Sequence, residues 1–405
     1  MKNKLAINGG KKIFLSNTNH YLWPPRYDKN KTKALIDCLK YDKLNSKGFP
    51  IIVEKFEKAF AKLIGTKYAL ATNSGTSALH SAFSALGIKK GDEVIAPSLT
   101  FHATCTPVLK FTSNLKFCGC DEVGNINISD LRKNLSKKTK LLIITHLGGH
   151  PCDMKEIMSL KRKYGFKLIE DCSHAHESKY KNKKVGTFGE INIFSMDRNK
   201  LLSVGEGGVL VTNSRDLFEK SLLVSDFGSR LQSSIIKKSN KRFKGTGLGF
   251  KHRIHPLAAA LALNELKEIK KYIKLRHKKL NYITKKLLKI DGLDPPITKK
   301  GVDRGAFYSY RIFFNKKYFK KKITMDIFLK SLRKEGLQVR KAGNPPLNLL
   351  PYFKSCNPKK IKSSEYFYNN TFSIPTFTFE NIKIINLYLK GFKKVCSYFY
   401  EKKFK

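Results

Sequence analysis

Apolar residues recur at helical spacing in some segments of this chain and form short continuous runs in others, and the two patterns alternate. Apolar positions every three or four residues predict helices, and short apolar runs predict strands. The predicted helices cover residues 53–64, 76–86, 103–109, 129–135 and 154–164, and the predicted strands cover 67–71, 93–97, 115–118, 140–145, 166–170, 191–194 and 208–211. Such alternation is typical of a mainly parallel sheet sandwiched by helices.

The last third of the chain has a different pattern. Apolar positions at helical spacing predict one long helix from Pro256 to about Lys289, and the pair Pro295-Pro296 ends it. Beyond it we expect a strand over 306–314 and helices over 325–335 and 379–400. The sequence therefore predicts an α/β fold with a large domain over residues 1–270 and a smaller C-terminal α+β domain over residues 271–405.

Composition changes this picture little. The 405 residues include 80 Lys and Arg against 31 Asp and Glu, and this formal net charge of +49 by itself favours a polyanionic partner. The densest lysine run, 316–322, has neither regularly spaced aromatic residues nor a recognisable nucleic-acid-binding module around it. Since 41% of the residues are hydrophobic, the chain can build a substantial core. We interpret the lysines as solvated surface and expect no specific nucleic-acid partner.

The distribution of apolar and cysteine residues bears on cellular location. No run approaches the roughly 18 apolar residues that span a bilayer, and the polar segment 8–12 interrupts the place where a signal peptide needs an apolar core. The 8 cysteines show neither a C-x-x-C pair nor paired Cys/His spacing, which is typical of reduced thiols and argues against a zinc site. We expect a soluble, cytoplasmic protein without a membrane partner or a bound metal.

Three segments that follow predicted strands carry candidate chemistry. Residues 73–79, NSGTSAL, combine free helix-start N–H groups with small side chains, which suits a phosphate, although a helix cap has the same letters. Residues 170–176, EDCSHAH, place carboxylates at a buried strand end, where they need a partner such as a protonated ring nitrogen; capping of the next turn is the alternative. Residues 193–208 place Ser195 and Lys200 before a glycine-rich turn, and a buried amine there can form a Schiff base.

Together these groups meet the needs of pyridoxal phosphate. The aldehyde requires a lysine, the pyridine nitrogen requires a carboxylate, and the phosphate requires a cradle of N–H groups. The three segments supply one of each, so the sequence predicts pyridoxal 5'-phosphate as the cofactor.

With these segments placed, the chain resembles the DegT/DnrJ/StrS aminotransferases, pyridoxal-phosphate enzymes of fold type I that mostly act on nucleotide-linked keto sugars. The resemblance extends from residue 5 to about Leu266 and is general beyond that point. The matching blocks are LAINGG at 5–10 with Trp23-Pro24, NSGTSAL at 73–79, APSLTFHAT at 96–104, THLGGHPCDM at 145–154, EDCSHAH at 170–176 and the FS…K…GEGG stretch at 194–208. It implies an aspartate-aminotransferase-like large domain that binds the cofactor.

The resemblance also implies roles for the residues around the cofactor ring. Lys200 would form the Schiff base with the cofactor aldehyde, and Asp171 would pair with the pyridine nitrogen. His174 would lie near the ring hydroxyl. Phe101 would stack on the ring face, with a core phenylalanine as the alternative interpretation.

A further set of residues is implied to hold the cofactor phosphate. Gly75, Thr76 and Ser195 would do so within one subunit. Family members are homodimers with shared active sites, and Lys251, in the segment 249–253, would reach the phosphate of the partner subunit. Many members have Asn where this chain has Lys251.

The function implied is transfer of an amino group from an amino acid, L-glutamate, to a nucleotide-linked keto sugar, for surface polysaccharide or other amino-sugar biosynthesis. Lys200 is retained where a dehydrating branch of the family has His, which favours transamination. Residues 196–199, MDRN, replace an aromatic and a His-Pro-Thr-like run beside the substrate pocket, so an unusual acceptor is expected. Two alternatives stay open: another fold-type-I activity on a non-sugar substrate, such as desulfuration through Cys356, and a non-catalytic cofactor-binding homologue.

Overall fold

The computed structural model of the protein describes residues 4–14, 28–41, 50–112, 114–244, 246–341, 343–354 and 360–401. The Trp23-Pro24 pair and Cys356 lie outside these residues. The helices are α1 (Lys29–Tyr41), α2 (Ile51–Ile64), α3 (Gly75–Ala85), α4 (Ile128–Asn134), α5 (Met154–Tyr164), α6 (Arg215–Ser225), α7 (Ser229–Ser234), α8 (Lys238–Lys241), α9 (Pro256–Leu287), α10 (Met325–Lys334), α11 (Pro351–Lys354), α12 (Lys362–Asn370) and α13 (Ile382–Phe399). The strands are β1 (Tyr68–Thr72), β2 (Glu93–Pro97), β3 (Leu115–Cys118), β4 (Thr139–Thr145), β5 (Lys167–Asp171), β6 (Lys179–Tyr180), β7 (Lys183–Lys184), β8 (Ile191–Ser195), β9 (Gly208–Thr212), β10 (Leu293–Asp294), β11 (Val302–Asp303), β12 (Tyr310–Phe314), β13 (Arg340–Lys341) and β14 (Thr371–Ile374).

The central sheet has seven strands in the order β1-β9-β8-β5-β4-β2-β3. β9 is antiparallel to both of its neighbours, and the pairs from β8 through β3 are parallel, so the predicted mainly parallel sheet is confirmed. The carboxyl ends of the parallel strands and the start of β9 therefore lie at one edge of the sheet. Ligands bind at this edge in open α/β sheets.

Strand β4 shows why the central strands are apolar without interruption. Successive side chains of a strand point to opposite faces, and Leu141 and Ile143 pack into one hydrophobic cluster while Leu142 and Ile144 pack into another. α3 and α6 cover the first face, and α4 and α5 cover the second. Burial of each such side chain stabilises the fold by roughly 2 kcal/mol, and the rigid sheet that results positions the strand ends.

Two local predictions differ from the structure. Residues 103–109 form two 3₁₀ turns, His102–Thr104 and Pro107–Lys110, because Pro107 has no N–H with which to continue a helix. Strand β12 begins at Tyr310, since Phe307 adopts a φ of 44° in a turn closed by its N–H to the carbonyl of Arg304. The segment before β12 is thereby a loop that reaches the large sheet.

The C-terminal part is built on a second sheet, β10-β12-β14-β13, packed against α10 and α13. Leu5 and Phe14 from the first described residues belong to the same hydrophobic cluster. Helix α9 joins the two parts, since Ala262 packs in the core beneath the large sheet and Leu287 packs in the core of the small one. The boundary expected at residue 270 lies inside this helix.

In the ranges that the structure describes, every helix is too short or too polar to cross a membrane.

Candidate active site

The start of α3 forms a cradle at the carboxyl edge of the sheet. The Ser74 hydroxyl accepts a hydrogen bond from the N–H of Ser77 at 3.1 Å and so caps the helix. A side chain at Gly75 would place its Cβ 3.0 Å from the Cβ of Ser195, and one at Gly208 would place its Cβ 2.4 Å from the carbonyl carbon of Ser74. The glycines therefore keep the helix start close to Ser195, and the helix N-terminus favours an anion there. The cap and the cradle are the same structure.

Asp171 ends β5 at the same edge and is held by two donors. Its Oδ1 accepts from the N–H of Ser173 at 3.0 Å, and its Oδ2 accepts from the Thr104 hydroxyl at 2.6 Å. The Thr104 hydroxyl also lies 3.0 Å from that of Thr100, which lies 2.9 Å from that of Thr145. This buried hydroxyl chain fixes the carboxylate while its strand-end position directs it to the edge.

Glu170, the neighbouring carboxylate, is occupied elsewhere. It accepts hydrogen bonds from the backbone N–H groups of Gly186, Phe188 and Gly189 at 2.7–3.0 Å, and it pairs with His146 Nε2 at 3.0 Å. Strand alternation points the two acidic side chains to opposite faces. Glu170 therefore anchors the loop before β8, and only Asp171 faces the cavity.

Lys200 is 8% exposed, and its Nζ lies 4.2 Å from the centre of the Tyr308 ring. His174 stacks on the same ring with centroids 3.9 Å apart and an interplanar angle of 8°. Burial, aided by the charges of Lys200 and Arg311, holds the pKa of His174 well below its ordinary value. The imidazole is therefore neutral near pH 7, and its Nδ1 accepts from the N–H of Gly148 at 3.4 Å.

These groups line one cavity of about 630 Å³, hereafter the first cavity. Seven of the sequence-predicted site residues share it, namely Lys200, Asp171, His174, Gly75, Thr76, Ser195 and Phe101. Phe101 is 52% exposed at its mouth and is not a core residue. Of the unusual 196–199 segment, Asp197, Arg198 and Asn199 line the cavity, whereas Met196 is buried in the core.

Lys251 lies apart from this set and does not line the first cavity. Its backbone has a φ of 53°, and its Nζ lies 5.8 Å from the Phe227 ring centre. The next residue, His252, accepts a hydrogen bond from the N–H of Asn73 at 2.8 Å. The segment thus runs beside the cradle of its own chain while the exposed Lys251 amine lies outside the cavity.

The small sheet contributes residues that sequence reasoning missed. Tyr308, Ser309, Arg311, Arg340 and Lys341 line the first cavity from the loop before β12 and from β12 and β13. The sequence FYSYR at 307–311 contains aromatic and basic residues, which could have indicated a site. Their proximity to Lys200, however, depends on how the second sheet packs on the first. The lining of the first cavity carries an excess of positive charge. Its basic residues are Arg198, Lys200, Arg311, Arg340 and Lys341, and its acidic residues are Asp171, Asp197 and Glu206.

Comparison with known proteins agrees with this geometry. The model of the DegT/DnrJ/EryC1/StrS aminotransferase family matches residues 25–381. The chain is 36% identical over 238 residues to a GDP-perosamine synthase of Escherichia coli O157:H7. The alignment covers 58% of this chain and 63% of that protein, so it spans somewhat less than two thirds of the relative's length. It is 30% identical over 362 residues to the GDP-perosamine synthase of Caulobacter vibrioides, covering 87% of this chain and 91% of that one.

A solved structure extends the comparison to the fold. Helicobacter pylori PseC, an aminotransferase involved in the biosynthesis of pseudoaminic acid, superposes with a TM-score of 0.83 at 26% identity, covering 94% of this chain and 100% of that chain. The large sheet, the small sheet and their arrangement are thus those of a fold-type-I aminotransferase, as expected. The chain belongs to the DegT/DnrJ/EryC1/StrS aminotransferase family.

Proposed function

We propose that this protein is a pyridoxal-phosphate-dependent transaminase that moves an amino group from an amino acid, L-glutamate, to a nucleotide-linked keto sugar in amino-sugar biosynthesis. The observation that carries the proposal is the convergence of Lys200, Asp171 and the start of α3 on one cavity. The relatives named as GDP-perosamine synthases support a sugar nucleotide as the acceptor.

The residues of the first cavity fit pyridoxal phosphate. The cradle that a Cβ at Gly75 or Gly208 would fill leaves room for a phosphate at the N-terminus of α3. Asp171, fixed by Thr104, would hold a proton on the ring nitrogen, and Phe101 would cover the ring. When bound, the cofactor supplies an electron sink for the carbon that carries the amino group.

Lys200 would then move the proton at the reacting carbon. Its amine lies at the same edge as Asp171, 4.2 Å from the centre of the Tyr308 ring, and Lys200 lines the cavity, so the amine can reach a bound substrate. Because His174 is neutral, it would place no charge beside the cofactor ring. It orients Tyr308 by stacking on it. The positive lining suits the carboxylates of glutamate and the diphosphate of a sugar nucleotide.

The test uses the two half-reactions separately. L-glutamate is added to the purified holoprotein, and the change in cofactor absorbance together with the 2-oxoglutarate released is measured. The aminated form is then offered a panel of keto sugars linked to GDP, UDP or dTDP, and amino-sugar product is detected by mass spectrometry. If an amino donor converts the cofactor to its aminated form but none of the sugars is aminated, a non-sugar acceptor would be favoured. If no donor converts the cofactor, a non-catalytic homologue would be favoured.

The glycine at the start of β9 offers a test of the phosphate cradle. Gly208→Ala is expected to weaken cofactor binding about tenfold or more, because its Cβ would collide with the backbone of Ser74 and displace the start of α3. Equilibrium dialysis of pyridoxal phosphate measures the effect. Ser84→Ala, near the other end of the same helix, is the control and should bind as the parent protein does. Unchanged affinity in Gly208→Ala would contradict the cradle assignment.

We further propose that the active site is shared in a homodimer, with Lys251 reaching the phosphate of the partner subunit. Its exposed side chain, outside the cavity of its own chain, supports this role. Lys200→Ala and Lys251→Ala are each expected to be impaired alone. Refolded together in equal amounts, they should regain about a quarter of the parent activity, because half of the dimers are mixed and carry one intact site of two. Absence of recovery in dimers shown to be mixed would contradict a shared site.

A further inference from the structure

A second cavity of about 520 Å³ lies beside the first, between the large and the small sheets. Leu147 and Arg311 line both cavities and therefore form the wall between them. Most of the remaining lining comes from loops after β3 and β10, from strand β12 and from helix α12, and it includes the aromatic side chains Phe313, Tyr366 and Phe367. Nothing in the proposed transamination chemistry uses this space.

Two arginines line this second cavity, and each has buried N–H groups without a hydrogen-bond partner. Arg304 is 6% exposed, and of its donors Nη2 reaches the carbonyl of Gly148 at 3.2 Å, whereas Nε and Nη1 are buried without a partner. Arg311 donates through Nε to the Ser309 hydroxyl at 3.2 Å, and its buried Nη1 also has no partner. Leaving a buried charged donor unpaired is unfavourable by about 1 to 3 kcal/mol or more.

The two guanidinium groups line the same cavity. Burial, together with the charge of Arg311, lowers the pKa of Arg304 to about 9, so Arg304 stays largely protonated at neutral pH. Among the described residues, no carboxylate lies within 4.0 Å of either side chain as an ion-pair partner. Two like charges buried together, with unpaired N–H groups, favour an anion between them.

The carboxylates that line the second cavity are engaged elsewhere. Asp121 and Glu122 both bind the amine of Lys299, at 2.9 and 2.8 Å. Asp294 accepts from the side-chain amide of Asn315 at 3.3 Å. Among the described residues, the two arginines are thus left without an ion-pair partner, although the guanidinium carbon of Arg304 lies 3.7 Å from the centre of the Phe307 ring.

We propose that Arg304 and Arg311 form an oxyanion-binding site in the second cavity, which takes a carboxylate or phosphate group. The planar guanidinium fork presents paired N–H donors that match the two oxygens of either group. Since Arg311 also lines the first cavity, the bound group can belong to a substrate whose reacting end lies at Lys200. In this last respect the inference rests on the proposed transaminase function.

The site is also connected to the catalytic residues through one glycine. The carbonyl of Gly148 accepts from Arg304, and its N–H donates to His174 Nδ1. A Cβ at Gly148 would lie 3.2 Å from Arg304 Nη2 and 3.0 Å from the Ser309 hydroxyl. Anion binding at Arg304 therefore acts on the same glycine whose N–H binds His174.

The test measures anion binding to the holoprotein without turnover. Two probes are titrated by calorimetry: glutarate, a dicarboxylate without an amino group, and inorganic pyrophosphate. The variants are Arg304→Gln, Arg304→Lys and Arg311→Gln, with Arg162→Gln on the exposed face of α5 as the matched control. Thermal unfolding and cofactor absorbance show whether each variant is folded.

Arg304→Gln is expected to weaken binding of at least one probe about tenfold or more, since a charged donor to an oxyanion is lost. Arg304→Lys should bind that probe with an affinity between those of the parent protein and Arg304→Gln. It replaces the glutamine variant if that variant does not fold. Arg162→Gln should match the parent protein. Equal binding of both probes by folded Arg304 and Arg311 variants and the parent, or no binding by the parent, would overturn the proposal.

The choice of probe identifies the source of the anion. Loss of glutarate binding, with a raised KM for glutamate in the first half-reaction, assigns the site to the amino donor. Loss of pyrophosphate binding, with a raised KM for the sugar nucleotide, assigns it to the acceptor. Because the titrations involve no turnover, Arg304-dependent binding in a protein that transaminates nothing would contradict the proposed function and leave the anion site standing.

Discussion

Lys200→Ala should lower kcat for the glutamate half-reaction by about 1,000-fold or more, because it removes the amine that we propose both to hold the cofactor covalently and to move the proton. The measurement is a single-turnover assay in saturating pyridoxal phosphate, so that weaker retention of the cofactor does not account for the loss. Lys155→Ala, an exposed lysine of α5, is the control and should retain the parent rate.

Chemical labelling gives an independent check of the same residue. Borohydride reduction of the parent holoprotein, followed by peptide mass mapping, should find the cofactor on Lys200. The chain also has many exposed lysines, whose amines can form Schiff bases with excess cofactor, so the cofactor is kept stoichiometric. A label on another lysine, or full activity in Lys200→Ala, would contradict the assignment.

Asp171→Asn should lower kcat by about 100-fold or more while changing stability little, because the negative charge that we propose supports the cofactor ring nitrogen is lost. The amide oxygen can still accept from the N–H of Ser173, and the amide nitrogen can donate to the Thr104 hydroxyl, which can rotate. Steady-state kinetics and thermal unfolding, measured on the same preparation, separate activity from stability.

The adjacent Glu170→Gln is the matched comparison and should behave in the opposite way. An amide cannot accept at both of the positions where the Glu170 oxygens now bind backbone N–H groups and His146. The free energy of unfolding should fall by about 2 to 3 kcal/mol. Folded Glu170→Gln protein should keep most of the parent kcat. If Asp171→Asn lost stability but kept activity, the roles given to the two carboxylates would be wrong.

The sequence alone predicted much of the large domain. Runs such as LLIIT at 141–145 can be buried on both faces only in a central strand, so periodicity alone identified the parallel sheet. The order of strand, turn and helix then placed Gly75, Asp171 and Lys200 at strand ends. Since parallel strands share one edge, their meeting in a cavity followed without knowledge of tertiary contacts.

Local sequence could not distinguish the roles of neighbouring residues. Glu170 and Asp171 have similar chemistry, and only the register of β5 shows that one binds a loop and the other faces the cavity. Tyr308 was likewise missed as a site residue, because the sequence predicted a continuous strand over 306–314. The turn at Phe307 depends on contacts with residues near His176, far away in the chain.

What the sequence determined by itself was the set of groups at the edge of the large sheet, because strand periodicity and the succession of strand, turn and helix are local properties. What the tertiary structure decided was the other half of the cavity: the packing of the second sheet, which places Tyr308 against Lys200 and Arg304 against Gly148. Those contacts join residues more than 100 positions apart, and their geometry comes from how two hydrophobic cores meet along α9.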